Sequence, residues 1–318
     1  MKVHILMVNM NEGQEEGLPV MQPDLKGFSV AVIGGDAREV ILAERLAVLG
    51  ATVRVVALPV REQVNIKHCL DPADGLEGVE AVILPIPGIN DRGQVYAAYL
   101  DRPLILSEQH FKLLPAGTPV FTGIAKPLLK KMAADAGLVL IEIMELDEVA
   151  ILNSIPSAEG ALQIAMENTP ITIHGSNSLV IGFGRTGMTL ARTLKALGAG
   201  TMVVARGSAS RARALEMGLD TADFTDLPGA VHSADIIFNT VPALVLNEKV
   251  LNRIPREALI VDIASSPGGT DFPAAEKLGI KAILAPGLPG KVAPKTAGKV
   301  LARVVPGLLA ERLALKLN

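Results

Sequence analysis

The chain has 318 residues, of which 49% are hydrophobic, and its 30 Lys and Arg against 33 Asp and Glu leave a net charge of −3. This length predicts two domains, each able to bury a core of its own. Since no overall basic field is available to attract a polyanion, we expect no nucleic-acid partner. The single cysteine, Cys69, excludes an internal disulfide, and no paired Cys or His spacing indicates a metal site.

Apolar stretches in this chain are short. The N-terminal run from Ile5 to Val8 ends at Asn9, which is too short for the core of a secretory signal. All remaining apolar stretches are interrupted by Gly, Pro or charged residues before they reach the roughly 18 residues that a membrane span requires. We therefore expect a cytoplasmic protein without membrane association, whose apolar excess fills buried parallel strands.

In the first half, apolar runs alternate with Ala- and Leu-rich segments of helical spacing, the pattern of a parallel sheet covered by helices. The first unit consists of a strand at residues 28–33, a turn at Gly34-Gly35-Asp36 and a helix at residues 38–49. Further strands are predicted at residues 52–57, 81–84, 104–106, 120–122 and 138–142. Residues 9–27 and 59–80 are predicted to be loops.

The second half repeats this rhythm after a predicted hinge helix, which starts at Pro156 and Ser157 and runs to about Asn168. Its strands are predicted at residues 178–181, 202–205, 236–239, 259–263 and 282–284. We expect an apolar C-terminal helix to return to the first domain. The sequence thus predicts two Rossmann-like, doubly wound α/β domains joined by the hinge helix. Residues 1–151, with a final helix at about 301–318, would form the substrate and catalytic domain, and residues 152–300 the nucleotide domain.

A glycine-rich motif, Gly182-Phe183-Gly184-Arg185-Thr186-Gly187, lies between a buried-strand run at residues 179–181 and a helix at residues 188–197. In a dinucleotide site the first glycine permits the tight turn, the second lets the pyrophosphate approach the backbone, and the third lets helix and strand pack closely. The helix N-terminus would then face the phosphates. The motif predicts a nicotinamide dinucleotide site, and the alternative is a purely structural turn.

Arginine stands where NAD-binding domains place an acid for the ribose 2′-hydroxyl. The second strand ends in Ala205-Arg206-Gly207-Ser208, with Arg211 and Arg213 close behind. A guanidinium offers paired donors to a phosphate, so Arg206 and Ser208 predict NADP as the cofactor. If these arginines are instead a solvated helix face, NAD is possible. The run Asn239-Thr240-Val241-Pro242 ends the next strand and is predicted to lie near the nicotinamide ribose.

The turn of the first domain, Gly34-Gly35-Asp36-Ala37-Arg38, is similar to a dinucleotide turn but lacks the third glycine. It favours a small anion over a second nucleotide. Arg38 is predicted to bind a substrate carboxylate, and the alternative is a plain surface residue.

Longer motifs carry a resemblance to a known family. These are the glycine motif with the residues around it (175–177, 182–188, 191–193 and 197–199) and the segments 32–38, 153–160 and 285–298. With these motifs the chain resembles the A subunits of dipicolinate synthase over nearly its whole length. The main departure is an extension before Leu25, to which no role is assigned.

The resemblance implies an enzyme from the mother cell of a sporulating bacterium. With a smaller, flavoprotein-like B subunit, it would oxidise dihydrodipicolinate, or its hydroxy-tetrahydro precursor, to pyridine-2,6-dicarboxylate. NADP would accept the hydride, and the substrate would be a small dicarboxylate. We accordingly expect a homo- or hetero-oligomer.

Catalytic candidates follow from a comparison with two-domain 2-hydroxyacid dehydrogenases, which place an Arg after the fourth strand of the nucleotide domain and a His before the final helix. Here those places hold Ser265-Ser266 and Pro294-Lys295-Thr296. The mechanism of the 2-hydroxyacid dehydrogenases is therefore disfavoured. Lys295 is predicted to lie in the interdomain cleft and to bind a substrate carboxylate or assist proton transfer, with Ser265 adding a hydroxyl donor. The plainer interpretation is that Lys295 is a solvated residue at the start of a helix.

Three other side chains complete the predicted site. Ser154 and Ser157 of the hinge would help Arg38 to hold the second carboxylate. His110, which follows a strand, could carry a proton or be structural. A nucleotide-sensing or assembly module without chemistry of its own, and an oxidoreductase like the 2-hydroxyacid dehydrogenases, are the alternative functions, because fold alone does not fix function.

Overall fold

A computed structural model describes residues 23–317 in two compact units. Unit 1 comprises the chain up to Val149 together with the segment from Pro294 onward, and unit 2 comprises Ala150–Ala293. The sequence predicted these boundaries at 151/152 and near residue 300. Residues 1–22 of the N-terminal extension lie outside the described residues.

Unit 1 is built on a six-stranded parallel sheet. Its strands are β1 Ser29–Ile33, β2 Thr52–Val56, β3 Ile66–Cys69, β4 Ala81–Ile83, β7 Pro119–Thr122 and β8 Val139–Glu142. They follow the order β3-β2-β1-β4-β7-β8. Between β4 and β7 the chain forms a small antiparallel pair, β5 Gln94–Val95 and β6 Leu104–Ile105. The helices are α1 Ala37–Val48, α2 Pro72–Leu76, α3 Glu108–Phe111, α4 Pro127–Asp135 and the C-terminal α12 Pro294–Leu317.

Unit 2 repeats this topology. Its six parallel strands are β9 Asn177–Ile181, β10 Gly200–Val204, β11 Asp220–Ala222, β12 Ile236–Asn239, β13 Leu259–Asp262 and β14 Lys281–Leu284. They follow the order β11-β10-β9-β12-β13-β14. Helix α5 Asp147–Asn168 leads into the unit, followed by α6 Arg185–Ala196, α7 Ser208–Glu216, α8 Leu227–Ala230, α9 Glu248–Leu251, α10 Phe272–Lys277 and α11 Leu288–Val292. Both sheets have the strand order of the Rossmann fold, which confirms the predicted fold class.

Both faces of each sheet are buried, as the continuous apolar runs predicted. In β1, Val30 and Val32 belong to one core of unit 1 while Ala31 and Ile33 belong to the other. The strands of unit 2 divide their side chains between two cores in the same way.

The C-terminal helix packs on α1 in unit 1, which confirms the expected return to the first domain. Leu301, Val305 and Leu309 of α12 are buried in the core that contains Leu42 of α1. Gly298 allows the two helices to approach closely, since a Cβ there would lie 3.1 Å from Arg38 Cα. Among the helices of residues 23–317, none combines the length and the apolar character that a membrane span requires.

Several predicted elements were wrong. Residues 59–80 contain β3 and α2, and the prediction missed β3 because an edge strand need not be apolar: Lys67 and His68 are exposed. The edge strand β11 was missed for the same reason. The predicted strand at 104–106 is β6, which pairs with β5 outside the main sheet.

The hinge helix begins at Asp147, and Pro156 lies inside it rather than at its start. An internal proline removes one backbone hydrogen bond but does not end a helix that packing holds. Val149, in the first turn, is buried in the core of unit 1. A start signal in the sequence therefore proved to be an interior residue.

Candidate functional site

The glycine motif forms the turn between β9 and α6 in unit 2, and its three glycines differ in their surroundings. Gly182 has φ +94°, and a Cβ on it would clash with Thr240 Oγ1 and lie 2.9 Å from Val241 Cγ2. A Cβ on Gly187 would clash with the carbonyl oxygen of Gly182. By contrast, no atom lies within 4 Å of the position that a Cβ on Gly184 would take. Two glycines thus allow tight packing, and the middle one leaves open space.

This open space lies at the start of α6. Gly184 is the N-cap residue, no side chain caps the helix, and its first turn contains no acid. The first turn of a helix exposes backbone N–H groups and the positive end of the helix dipole, so an anion is stabilised there. The adjacent Phe183 is buried in the core, while Arg185 and Thr186 begin the helix. The arrangement fits a dinucleotide pyrophosphate.

Arg206 follows β10, the strand beside β9. Its guanidinium carbon lies 5.3 Å from the centroid of the Phe224 ring, and within residues 23–317 it has no ion-pair partner. Ser208 is the exposed first residue of α7. A guanidinium over an aromatic ring and an exposed serine hydroxyl are both hydrogen-bond donors to a phosphate, and the 2′-phosphate at Arg206 and Ser208 stays a prediction.

Arg211 and Arg213 have structural partners instead. Arg211 Nη1 donates to the carbonyl oxygens of Ala205 and Arg206, both at 2.7 Å, and to Asp223 Oδ2 at 2.6 Å. Arg213 pairs with Glu216 on the surface. The solvated-face interpretation therefore describes Arg213, while Arg211 braces the end of β10.

Asn239 ends β12 on the other side of β9 and is fully buried. Its Nδ2 donates to Asp262 Oδ1 and to the carbonyl oxygen of Val241, each at 3.0 Å, and its Oδ1 accepts from Val241 N at 3.1 Å. Thr240 Oγ1 donates to the carbonyl oxygen of Ile181 at 2.9 Å. Side-chain hydrogen bonds thus fix the backbone that leads to Pro242 beside the glycine turn.

Asp262, at the end of β13, is a fully buried acid of this edge that the sequence did not single out. Its Oδ1 accepts from Asn239 Nδ2 and from Ala264 N, and its Oδ2 accepts from Gly269 N at 2.9 Å and Thr270 Oγ1 at 2.7 Å. A buried carboxylate persists only where donors surround it. The signal was an acid that directly follows three apolar strand residues, Leu259-Ile260-Val261.

The other predicted residues of unit 2 differ in whether their hydroxyls have partners. Ser154 is buried, and its Oγ lies 2.6 Å from both the carbonyl oxygen of Ile151 and Thr189 Oγ1. Ser157 Oγ donates to the carbonyl oxygen of Asn153 at 2.9 Å. Ser265 is exposed. A role for each in substrate binding or catalysis stays a prediction.

In unit 1 the chain itself covers the corresponding turn. Gly35 N donates to the carbonyl oxygen of Tyr96 at 2.7 Å, and Ala98 N donates to the carbonyl oxygen of Gly35 at 2.8 Å. A Cβ on Gly35 would clash with the carboxylate of Glu39, which accepts from Asp36 N at 2.8 Å. The place that a pyrophosphate would take is thus filled by protein atoms.

Arg38 is paired in the structure. Its Nε and Nη2 each donate to a different carboxylate oxygen of Asp36 at 2.9 Å. Although burial alone would raise the pKa of Asp36, hydrogen bonds from Arg38 lower it below its ordinary value. Burial raises the pKa of Glu39 to about 7. The predicted substrate carboxylate at Arg38, which stays a prediction, would have to share the guanidinium with Asp36.

His110 and Lys295 also belong to unit 1. His110 Nδ1 lies 3.0 Å from Ser107 N and 2.9 Å from Ser107 Oγ, so the ring caps the short helix α3. Lys295 is exposed in the first turn of α12.

No group of three or more His, Cys, Asp or Glu that could hold a metal occurs within residues 23–317.

Comparisons with known proteins identify the family. A family model for the N-terminal domain of the dipicolinate synthase A subunit matches residues 29–144, and one described as shikimate / quinate 5-dehydrogenase matches residues 163–268. The chain is 43% identical over 289 residues to the A subunit of dipicolinate synthase from Bacillus subtilis (strain 168), covering 90% of this chain and 97% of that protein. The chain belongs to the family of dipicolinate synthase A subunits.

Two crystal structures of this family agree with the architecture. The A subunit of dipicolinate synthase from Bacillus subtilis matches with a TM-score of 0.86 at 43% identity, over 91% of this chain and 98% of that chain. Its counterpart from Bacillus halodurans matches with a TM-score of 0.85 at 40% identity, over 90% and 99%. The family resemblance seen in the sequence is confirmed, and the dehydrogenase fold of unit 2 implies a nicotinamide cofactor.

Proposed function

We propose that this chain is the A subunit of a dipicolinate synthase and that it oxidises dihydrodipicolinate, or its hydroxy-tetrahydro precursor, to dipicolinate with NADP. Its similarity to proteins of that name, over nearly their whole length, supports the pathway step. The expected setting is the mother-cell cytoplasm of a sporulating bacterium. The dehydrogenase fold supports hydride transfer as the reaction type.

The cofactor proposal rests on unit 2. The residues of the glycine motif, Gly182 to Gly187, would hold the pyrophosphate, Arg206 and Ser208 the 2′-phosphate, and the run from Asn239 to Pro242 would face the nicotinamide ribose. The observation that carries the choice of NADP is the guanidinium of Arg206, which lies over Phe224 where an NAD enzyme would carry an acid. NAD binding would require that cation to have no phosphate partner.

The reaction requires little chemistry from protein side chains. Dihydrodipicolinate loses a hydride from one ring carbon to NADP⁺ and a proton from another ring atom, which leaves the aromatic dicarboxylate. The hydroxy-tetrahydro precursor must in addition lose its hydroxyl group and a proton as water. The protein must hold a dianion, align the ring with the cofactor and accept the proton. Lys295, Ser265 and His110 are the proposed catalytic groups, and Arg38, Ser154 and Ser157 the proposed substrate ligands. Lys295 and Ser265 are the most accessible of these, because both are exposed.

A reconstituted assay tests the proposal. Freshly prepared dihydrodipicolinate precursor and NADP would be mixed with this chain, alone and with the flavoprotein-like B subunit, and dipicolinate absorbance followed. We expect dipicolinate and NADPH to form in equal amounts, and turnover to require the B subunit. NADP binding without turnover in the complete mixture would favour a nucleotide-sensing or assembly role, and 2-keto acid reduction would favour a 2-hydroxyacid dehydrogenase.

A further inference from the structure

A pocket of about 280 Å³ opens at the carboxyl edge of the unit 1 sheet. Its lining includes residues that follow β4, among them Pro87 and Gly88, and Lys126, which follows β7. The lining also includes residues of the excursion that contains β5, as far as Arg102. Ligands of open parallel α/β sheets bind at this edge, and the volume is close to the lower end of small-molecule pockets.

The lining of this pocket is cationic. Its polar side chains are Asn90, Gln94, Tyr96, Arg102 and Lys126, and none of the lining residues is acidic. Neither Arg102 nor Lys126 has an ion-pair partner within residues 23–317. Two unpaired cations without a carboxylate between them attract a doubly negative ligand.

Lys126 gives a second, independent indication of an anion. It is the N-cap residue of α4, no side chain caps that helix, and its first turn contains no acid. A lysine ammonium at the positive end of a helix dipole is unfavourable until an anion neutralises it. A bound carboxylate would supply that charge.

Hydrogen bonds and close packing hold several uncharged residues of the pocket wall, so binding would not have to order these residues first. Asn90 Oδ1 accepts from Gln94 N at 3.0 Å, and Asn90 Nδ2 donates to Gln94 Oε1 at 3.3 Å. Tyr96 is held through its backbone contact with Gly35. Gly88, with φ +63°, lies so close to Thr122 and Ile124 that a Cβ would be 3.0 Å from an oxygen atom of each.

We propose that this pocket of unit 1 binds the dicarboxylate substrate, with Arg102 on one carboxylate and Lys126 on the other, and the amide of Gln94 and the hydroxyl of Tyr96 as neutral donors. This inference rests on the proposed function for the identity of the dicarboxylate. This placement of the carboxylates differs from the one at Arg38, Ser154 and Ser157, and it is favoured in unit 1 because the Arg38 guanidinium already pairs with Asp36.

The test is calorimetric titration of the full chain with dipicolinate, in the presence of NADP and the B subunit. Arg102→Gln and Lys126→Gln should each weaken dipicolinate binding by about tenfold or more, the loss expected for one charge-assisted contact. Arg61→Gln and Lys112→Gln remove exposed cations outside the pocket and should leave the affinity unchanged. Pyridine-2-carboxylate, with one carboxylate, should bind the unmodified chain more weakly and lose less affinity than dipicolinate in each pocket variant.

Unchanged dipicolinate affinity in both pocket variants, or no binding by the unmodified protein, would overturn the inference. Binding of inorganic phosphate as tight as that of dipicolinate would also overturn the inference, because equal affinities would indicate a general anion site. NADP affinity, measured separately, should not change in any variant. If the chain binds dipicolinate through Arg102 and Lys126 but does not bind NADP and does not oxidise the precursor, the proposed function is wrong and the proposed pocket is still supported.

Discussion

Replacing Asp262 by Asn tests whether the buried carboxylate holds the cofactor edge of unit 2. The carboxylate accepts four hydrogen bonds, two on each oxygen, and two of the donors are the backbone amides of Ala264 and Gly269. An amide side chain of the same shape keeps one oxygen but puts an NH2 group against the other pair of donors. At least one backbone N–H must then lose its acceptor, whichever way the amide is turned.

The magnitude follows from these contacts. A hydrogen bond to a charged group contributes about 1.5–3 kcal/mol, and a buried donor left without an acceptor costs about 1–3 kcal/mol. Thr270 can rotate its hydroxyl to accept from the new NH2 group, which spares one of the two contacts on Oδ2. Since the remaining bonds also weaken once the charge is removed, we expect Asp262→Asn to lower the free energy of unfolding of unit 2 by about 2–5 kcal/mol.

Urea unfolding with hydrogen exchange at the amides of residues 264 and 269 measures this effect within unit 2. Asp220→Asn makes the same chemical change on an exposed residue and should shift the free energy of unfolding by less than about 0.5 kcal/mol. NADP affinity should also fall in Asp262→Asn, because the hydrogen bond from Asn239, which positions the turn to Pro242, weakens once its acceptor is no longer charged. A loss below about 1 kcal/mol, with unchanged protection of both amides, would refute the reasoning.

The remaining predictions concern charge and packing at single residues. Arg206→Asp should weaken NADP binding by about tenfold or more while changing NAD binding far less, and equal affinities of the unmodified chain for NADP and NAD in calorimetry would contradict the assignment. Glu39 holds its proton more tightly in the folded than in the unfolded chain, so the free energy of unfolding should fall as pH rises from about 4.5 to about 7, by at most about 3 kcal/mol. Urea unfolding measured across this pH range should show a smaller fall for Glu39→Gln. Gly187→Ala should abolish NADP binding or folding because its Cβ would clash with the Gly182 carbonyl oxygen, whereas Gly184→Ala should fold normally, as thermal unfolding can show. Lys295→Met should lower turnover or substrate affinity of the reconstituted enzyme while NADP still binds, and unchanged kinetics would show that its role was wrongly assigned.

Local sequence was sufficient to predict the first strand of the unit 2 sheet, the glycine turn and the helix that follows. The strand, glycine turn and helix around Gly182 are contiguous, and the roles of the three glycines depend mainly on neighbours within that segment and on the adjacent strand end at Thr240. The C-terminal helix could be predicted because an apolar helical stretch must bury its face somewhere. Edge strands such as β3 could not be predicted in this way, because an edge strand in contact with solvent needs no apolar pattern.

The two features that the sequence did not reveal, the cationic pocket and the buried acid, both depend on contacts distant in the chain. Arg102 and Lys126 are separated in the chain by two strands, β6 and β7, and the helix α3, and only the parallel arrangement of β4 and β7, with the excursion between them, brings both to one pocket. Asp262 was visible as an acid ending an apolar strand, but its donors include Asn239, on the neighbouring strand. Side chains that act together across a sheet edge give no periodic signal.

The glycine turns of the two units show how distant contacts decide function in a repeated fold. Each follows the first strand of a sheet with the same strand order and leads into a helix. In unit 2 the helix start is uncapped and open, which leaves its amides to an anion. In unit 1 the carboxylates of Asp36 and Glu39 form a capping box at the helix start, and Tyr96 and Ala98 hydrogen-bond to Gly35. The acid of this capping box is three residues from the cap, but the covering segment is some sixty residues further along the chain. Glu39 caps the helix locally, but the distant segment at Tyr96 and Ala98 is what covers the turn. Glu39→Ala in unit 1 should therefore weaken the helix cap without creating a nucleotide site, because Tyr96 still covers Gly35.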